Sequence, residues 1–374
     1  MAKKKRKSNL SKTRPTVGVL VRSISIKKLL KREEIPTLTE LKDANKQMGL
    51  TLYVFSIKDV DLIKKRIKAI YFNDKKGLWE KGEFPYPDII YKKNSSTSQK
   101  KSSRNFEKQL KNRKVKPLNY LQGFNKWEVY THLSKENNFL QYLPITRIYK
   151  EPIDLLRMFE KSEKLYLKAC RGGRGKQVMK VTKLPKGGYE YSYYIDKLYV
   201  YRVENFNILI DRIKKFYAKR TFLIQQAIDL ITIDNKIVDL RAEVQRNANG
   251  KITVAAIPVR IGQYNAPITT HAECFTFDHF FNVIMNYSDD ETKELKSKIE
   301  AFLRLAYESI EKYYGPSGEI GIDVGLDKSG KLWFIECNAR SLKVSLHKAY
   351  DKKTINQSYL NLLKYAEFRY SHRV

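Results

Sequence analysis

One stretch near the end of the chain limits what the rest can become. Gly-Glu-Ile-Gly-Ile-Asp-Val-Gly-Leu (318–326), Asp-Lys-Ser-Gly (327–330) and Lys-Leu-Trp-Phe-Ile-Glu-Cys-Asn-Ala-Arg (331–340) read as two strands joined by a tight turn. Asp-Lys-Ser-Gly supplies the turn chemistry, and alternating apolar residues flank it. Strand side chains return to the same face every second residue. Glu336 and Asn338 therefore share a face, and Asp323 reaches it from the neighbouring strand. Two carboxylates and an amide oxygen are hard donors of the kind Mg²⁺ takes. Burying such groups without partners costs a few kcal/mol, so a chain that keeps them needs a reason. The plain alternative is a hairpin whose polar face meets water.

The chain is long enough for two or three domains, with 374 residues of which 42% are hydrophobic. No apolar run approaches the ~20 residues that cross a bilayer. The basic N-terminus is not followed by an apolar segment with a cleavage site, so it is not read as a secretory signal. Cys170, Cys274 and Cys337 have neither disulfide nor metal spacing, and a reducing cytoplasm is the simplest compartment. His271, Cys274 and His279 lack a fourth ligand and match no zinc spacing. Lys and Arg number 73 against 40 Asp and Glu, a net charge of +33. Seven of the basic groups lie in residues 1–14, and ten, against one acid, in residues 92–116. Such a chain attracts polyanions through its long-range field.

In order, residues 1–16 read as a basic disordered arm and 17–117 as an N-terminal α/β domain. Strands are expected at Val17–Val21, Thr51–Ser56, Ala69–Asn73 and Asp88–Tyr91. Helices are expected from Thr37 or Thr39 to Met48 and over 59–66. Gly77, Gly82, Pro85 and Pro87 mark turns, and 92–116 reads as a mobile linker, partly helical near Phe106–Leu110. Apolar spacing predicts a helix over Phe124–Leu133 with Asn125 as its N-cap. Further helices are expected over 153–161, 205–217, Asp289–Tyr314 and 351–369. Lys164–Val181 reads as a strand carrying Lys168, a loop with Gly172, Gly173 and Gly175, and a second strand. Such glycines let backbone amides approach phosphate, though on this stretch alone a plain β-turn is the simpler reading. The tyrosines between 189 and 203 read as alternating sheet residues rather than a nucleic-acid platform. Phe222–Asp229 is a short apolar strand with a polar end. Lys236–Arg246 pairs with Lys251–Arg260, placing Asp239, Arg241 and Glu243 on one face with Arg260 beside them. Two arginines there suit a phosphate, or pair internally with the acids.

Taken together, this order of motifs resembles the ATP-grasp superfamily. The Asp239-Leu-Arg241 strand and the Glu336-Cys-Asn338-Ala-Arg340 ending are similar to glutathione synthetases and the ribosomal-protein glutamate ligases. Within the superfamily, the chain resembles the YheC/YheD, endospore-coat-associated branch. The likeness lies in Val17-Gly-Val-Leu, Pro87-Asp-Ile-Ile-Tyr91, Phe124-Asn-Lys-Trp-Glu, Leu143-Pro-Ile-Thr146 and Asp239-Leu-Arg241, and covers about residues 17–350. It implies an N-terminal α/β domain, then an ATP-grasp domain over 118–350. That domain would clamp nucleotide between two antiparallel sheets, one within 145–228 and one within 229–350, and 351–374 would form a C-terminal helix.

The resemblance also implies roles. Lys126 and Lys168 would hold the nucleotide phosphates under a flap of Gly172, Gly173 and Gly175. Gln225 would face the adenine amino group, backbone groups of Gln226 and Ile228 the ring edge, and Asp229 the ribose. Arg241, Arg260 and Arg340 would stabilise the transferred phosphate or bind the carboxylate substrate. Asp323, Glu336 and Asn338 would bind two Mg²⁺ ions against ATP. The activity implied is amide formation between a carboxylate and an amine, by way of an acylphosphate, with an amino acid, a peptide or an acidic protein segment as acceptor. A location in the cytoplasm, with an association to spores, follows from the branch. Gln225 stands where an acidic residue is frequent, Arg171 and Arg174 add charge to the flap, and Ile268–Cys274 lacks the expected Asn and paired Gly. Two other readings remain at this point. One is a non-catalytic coat or scaffold protein on the same fold. The other is a basic polyanion- or nucleic-acid-binding protein, for which no known module is recognisable.

Overall fold

A computed structural model describes residues 14–93, 101–121, 123–173, 175, 177–269 and 272–372. These divide into two compact units. One holds the described residues up to Leu118, with Ala248–Gly250 and those from Tyr359 onward; the other holds Asn119–Asn247 and Lys251–Ser358.

The first unit is a mixed α/β layer. Its elements are β1 (Thr16–Leu20), α1 (Ser23–Leu30), α2 (Pro36–Met48), β2 (Thr51–Phe55), β3 (Val60–Asp61), β4 (Arg66–Asn73), β5 (Leu78–Pro85), β6 (Ile89–Lys92), α3 (Lys101–Asn112) and β7 (Lys116–Pro117). The sheet runs β3-β4-β2-β1-β6-β7, with β5 on β4. Its β1, β2, β6 and β7 are parallel neighbours, as crossover helices allow.

Three expectations for this unit fail, each for a local reason. No helix spans 59–66: Asp61 Oδ1 accepts from the amides of Ile63 and Lys64, which makes a turn there, and β4 has begun by Arg66. Gly82 and Pro85 are not turn residues but lie in β5, opposite Ala69 and Arg66; Pro85 closes the strand, where its missing N–H does least harm. The described part of 92–116 is mostly the helix α3, not a linker. Phe106 and Leu110, one turn apart, are buried against Tyr53, Phe55 and Tyr86, and basic residues fill the exposed face. The charge hid a helix whose apolar stripe is only two residues long. The helix α1 was not anticipated. The N-terminal arm up to residue 13 and Asn94–Lys100 lie outside the described residues.

The second unit contains α4 (Lys126–Leu133), β8 (Thr146–Ile148), α5 (Pro152–Phe159), β9 (Lys164–Ala169), β10 (Val178–Lys183), β11 (Tyr189–Tyr194), β12 (Leu198–Val203), α6 (Phe206–Tyr217) and β13 (Phe222–Gln226). It continues with β14 (Thr232–Ile233), β15 (Lys236–Arg246), β16 (Ile252–Ala256), β17 (Val259–Ile261), β18 (Glu273–Phe275), α7 (Phe277–His279), α8 (Asp289–Tyr314), β19 (Glu319–Leu326), β20 (Leu332–Asn338) and α9 (Val344–Ala349), before α10 (Lys352–Ser371). Two antiparallel sheets form, in the orders β12-β11-β10-β9-β13-β8 and β18-β17-β15-β19-β20.

Each sheet buries one face under helices. Leu165, Leu167, Met179, Val181 and Ile224 pack with Leu209 and Ile213 of α6. Tyr191 stacks on Tyr201 and Tyr193 on Tyr199, with centroids 5.2 and 5.3 Å apart, as cross-strand sheet pairs. In the second sheet Leu240, Ala242, Ile320, Ile322 and Val324 pack with Phe302, Leu303 and Ala306 of α8. Helix α8 starts at a Ser288/Glu291 capping box with three acids in its first turn, which its dipole favours. The strand expected at Lys251–Arg260 breaks in two near Pro258, whose carbonyl accepts from the Arg241 amide at 2.8 Å.

If α3 is part of the first core, Phe106→Ala should cost about 3 kcal/mol, read as a lower midpoint in urea with little change in slope. An unchanged midpoint would restore the linker reading.

Candidate active site

Three strands of the second sheet build the site because each has two faces. In β15, Val238, Leu240, Ala242 and Val244 join the apolar core, which leaves Asp239, Arg241, Glu243 and Gln245 on the other side. In β19 the apolar residues alternate with Glu319, Gly321 and Asp323, and the whole strand is buried. Register then lines up the polar groups in rows. Arg241 lies opposite Asp323 and Asp323 opposite Glu336; Glu243 lies opposite Gly321 and Gly321 opposite Asn338. On β17, Arg260 lies opposite Asp239.

A bulge makes this arrangement possible on β20. Leu332 and Phe334 belong to the apolar core, yet simple alternation would place them on the side of Glu336 and Asn338. The register shifts between Asp323 and Val324, so that Asp323 faces Glu336 while Val324 faces Phe334. The extra residue flips the face of everything beyond it.

The first sheet supplies the opposing groups. Leu167 and Ile224 face its core, so Lys168 and Gln225 face away from it. Lys168 Nζ donates to Gln225 Oε1 at 2.6 Å, and Gln225 Nε2 donates to Thr146 Oγ1 at 2.9 Å. Helix α4 adds Lys126 at its first position. Asn125 caps the helix by accepting from the Trp127 and Glu128 amides, and the Lys126 amide donates to the Cys170 carbonyl at 2.9 Å. Lys126 Nζ reaches Glu336 Oε2 at 2.9 Å and the Gly172 carbonyl at 3.5 Å. A pocket opens where these meet. Lys126, Lys168, Gln225 and Glu336 are its polar lining, and Phe124, Val129, Tyr130, Leu143, Leu223 and Phe334 are its apolar lining.

Ion pairs balance the charges. Arg241 Nη1 lies 2.6 Å from Asp323 Oδ1, and Arg260 Nη2 lies 3.3 Å from the same oxygen. Arg260 also grips Asp239 with two bonds of 2.6 Å, and Thr269 Oγ1 donates to Asp239 at 2.9 Å. Asn338 Nδ2 donates to Glu336 Oε1 at 3.3 Å. Burial pushes Glu336 up, but the Lys126 ammonium overcomes this and holds the carboxyl at about 2. Burial raises Asp323 above the usual carboxyl range, against the pull of Arg241 and Arg260. Burial lowers Lys168 to about 8, with Glu336 pulling upward and Lys126 pushing down. Asp239, opposed by burial, raises Arg260.

A family model described as YheC/D like ATP-grasp matches residues 114–368. The chain belongs to this ATP-grasp family. It is 25% identical over 332 residues to the endospore coat-associated protein YheD of Bacillus subtilis (strain 168), a match that covers 87% of this chain and 72% of YheD. It is 21% identical over 364 residues to YheC of the same organism, covering 92% and 95% of the two chains. Among solved structures, ATP-grasp ligase PsnB complexed with minimal precursor superposes at a TM-score of 0.54 with 10% identity, covering 96% of this chain and 100% of PsnB. N5-carboxyaminoimidazole synthase from Aspergillus clavatus, in complex with ADP and 5-aminoimidazole ribonucleotide, gives 0.54 with 13% identity over 94% and 77%. At such identities the likeness is one of fold, and the fold is that of ATP-grasp proteins.

Of the ATP-grasp positions named from sequence, Lys126, Lys168, Gln225, Arg241, Arg260, Asp323, Glu336 and Asn338 converge through the contacts above. Gly172 adjoins them through its carbonyl, at a φ of 148°; a Cβ there would stand 2.6 Å from Gln177 Oε1. Gly173 is exposed and Gly175 half-buried, with a φ of 68° at Gly175. The Gln226 amide is already committed to the Ile145 carbonyl at 2.9 Å, and Ile228 is half-buried. Asp229 is exposed and pairs with Lys328 at 3.0 Å. Arg340 sits in the bend after β20, half-buried, where burial lowers its pKa. Arg174 and His271 lie outside the described residues. Sequence reasoning missed Thr146, Thr269, Ser341, Lys343 and Glu319. They are ordinary residues whose partners lie far away in the chain.

Lys168 is charged below about pH 8 and neutral above it, so an anion seated on it binds best at lower pH. Affinity for inorganic tripolyphosphate should fall about tenfold between pH 7 and pH 9, and Lys168→Met should flatten that fall. A slope that survives the substitution would assign the titration to another group.

Proposed function

We propose that this chain is an ATP-dependent carboxylate–amine ligase that forms an amide bond through an acylphosphate. The observation that carries the reading is the row Arg241, Asp323, Glu336 on one sheet, joined through Lys126 to the glycine loop of the other. A carboxylate repels an attacking amine and has no good leaving group. One of its oxygens would attack the γ-phosphorus of ATP, the bond to the β,γ-bridging oxygen would break, and ADP would leave. The amine would then attack the acyl carbon, phosphate would leave, and the nitrogen would lose a proton to water. No enzyme nucleophile is required.

The donors fit Mg²⁺. Asp323, Glu336 and Asn338 supply oxygens from adjacent strand positions, and the carboxylates sit close enough to perturb one another. Magnesium, when bound there, draws charge from the phosphate oxygens. Lys126 and Lys168 would seat the phosphates, with Gly172, Gly173 and Gly175 above them. Gln225, the Gln226 and Ile228 backbone and Asp229 would hold adenine and ribose. Arg241 and Arg260 would neutralise charge as the phosphoryl group moves, and Arg340 would meet the substrate carboxylate. We take the site of action to be the cytoplasm, in association with spores, since the curated relatives are named endospore coat-associated.

The acceptor we propose is an acidic peptide or protein segment. The net charge of +33 supports it, and PsnB, of like fold, has been solved with a precursor peptide. ADP release in the presence of Mg²⁺, screened over amino acids and acidic peptides with mass spectrometry of the products, tests the activity. Glu336→Gln should lower turnover at least about 100-fold while the circular dichroism spectrum is unchanged; full activity in that variant would remove the metal assignment. Acceptor affinity should weaken steeply between 0.1 and 1 M salt, as the screening length shrinks from about 10 to about 3 Å. A salt-independent affinity would exclude the acidic acceptor.

A further inference from the structure

Behind the site lies a second set of charges to which neither the family likeness nor the proposed chemistry assigns a role. Glu243, Glu319 and the Lys343 side chain are fully buried, and Ser341 is 1% exposed. Lys343 Nζ lies 3.1 Å from Glu319 Oε2 and 4.0 Å from Glu243 Oε2. Ser341 Oγ donates to Glu243 Oε1 at 2.6 Å. Arg241 Nε lies 3.9 Å from that same Glu243 oxygen, while Nη1 holds Asp323 at 2.6 Å. The guanidinium thus stands between two carboxylates and holds Asp323 the more tightly. Gly321 makes room for it: a Cβ there would lie 3.0 Å from Arg241 Nε. Lys343 itself adopts φ 54°, a left-handed conformation that a residue with a Cβ takes at a cost.

We propose that Lys343 is a positioning residue for Arg241. By engaging Glu319 and the outer oxygen of Glu243, its ammonium keeps Glu243 from claiming the guanidinium. Without it, Glu243 loses the cation 4.0 Å from its outer oxygen and keeps Arg241, 3.9 Å from its near oxygen, as its counter-charge. Arg241 then shifts from Asp323 toward Glu243. That move misplaces an arginine facing the phosphates and a carboxylate facing the metal together. Ser341 acts in the same direction by holding the near oxygen of Glu243. Ser341 follows Arg340 directly and Lys343 lies two residues further on, so one loop sets both the end of β20 and the arginine on β15. The functional part of this inference rests on the ligase reading; the geometric part does not.

The test is therefore made on nucleotide-free protein. The Nε–Hε signal of Arg241 in ¹⁵N-arginine-labelled protein, assigned by its loss in Arg241→Lys, reports how closely Nε approaches Glu243. In Lys343→Met, Nε closes on Glu243, so exchange of this proton with water should slow at least tenfold and the signal should shift. In Lys343→Met/Glu319→Gln, which removes one charge of each sign, it should return toward wild type. If Lys343→Met does not fold, Ser341→Ala, which keeps every charge and frees the Glu243 oxygen nearest Nε, carries the test and should show the same slowing. An Arg241 signal unchanged in the folded variant overturns the proposal. In the ADP-release assay, Lys343→Met should lower kcat about tenfold with KM for ATP nearly constant. Absence of turnover in wild type as well would sink the ligase reading and leave the Arg241 result standing.

Discussion

The ion pair between Arg241 and Asp323 is the constraint on which the second unit turns. Asp323 lies at the centre of a strand that is buried along its whole length. A carboxylate there is tolerable only with cations in contact, because desolvation of an isolated charge far exceeds what packing returns. Arg241, directly opposite on β15, and Arg260, one strand further, provide them. Each arginine has a second acid, Glu243 or Asp239, and so the balance spreads across the sheet. Among the described residues of this buried cluster, Asp239, Glu243, Glu319, Asp323 and Glu336 are matched by Lys126, Lys168, Arg241, Arg260 and Lys343.

The matched charges of this cluster have a consequence for the proposed chemistry. ATP carries about four negative charges, and the two magnesium ions proposed for this site would carry four positive ones, so that ligand set would add no net charge. Either part alone would unbalance a desolvated cluster in which one unit charge at 4 Å is worth several kcal/mol. The resting contacts point the same way. Lys126 holds Glu336, and Arg241 and Arg260 hold Asp323, so every carboxylate proposed for metal already has a cation. On that reading, metal and phosphate enter as an exchange of partners. Lys126 would then turn from Glu336 to a phosphate, leaving the carboxylate to hold the metal.

Much of this was legible in the residues, and the reason is periodicity. Alternation in Lys236–Arg246 gave the shared face of Asp239, Arg241 and Glu243. The turn Asp-Lys-Ser-Gly fixed which strands pair, and helical spacing of apolar residues gave α4, with Asn125 as its cap, and α8 close to their observed ends. Where local chemistry competed with period, the reading failed. Asp61 turned an expected helix into a hairpin, and the lysines around Phe106 and Leu110 masked a short apolar stripe. The grouping of Asp323 with Glu336 was reached although its mechanism was not. Unbroken alternation in β20 would bury Glu336 with Phe334 or expose both, and only the bulge separates them.

Long-range partners were out of reach altogether. A strand's period tells which residues share a face, but register decides which of them meet, and register is a property of two strands. Glu243 and Ser341 lie 98 positions apart, and nothing near either residue names the other. Asn119 is a clearer case. Its side chain donates to the Ala339 carbonyl at 2.8 Å and accepts from the Gly318 amide at 2.8 Å, so one buried amide ties the start of β19 to the end of β20. In sequence it is an asparagine after a proline and a leucine. The residues that take part in chemistry announce themselves because their types are costly to bury. Those that hold them in place are common side chains made particular only by where the chain brings them.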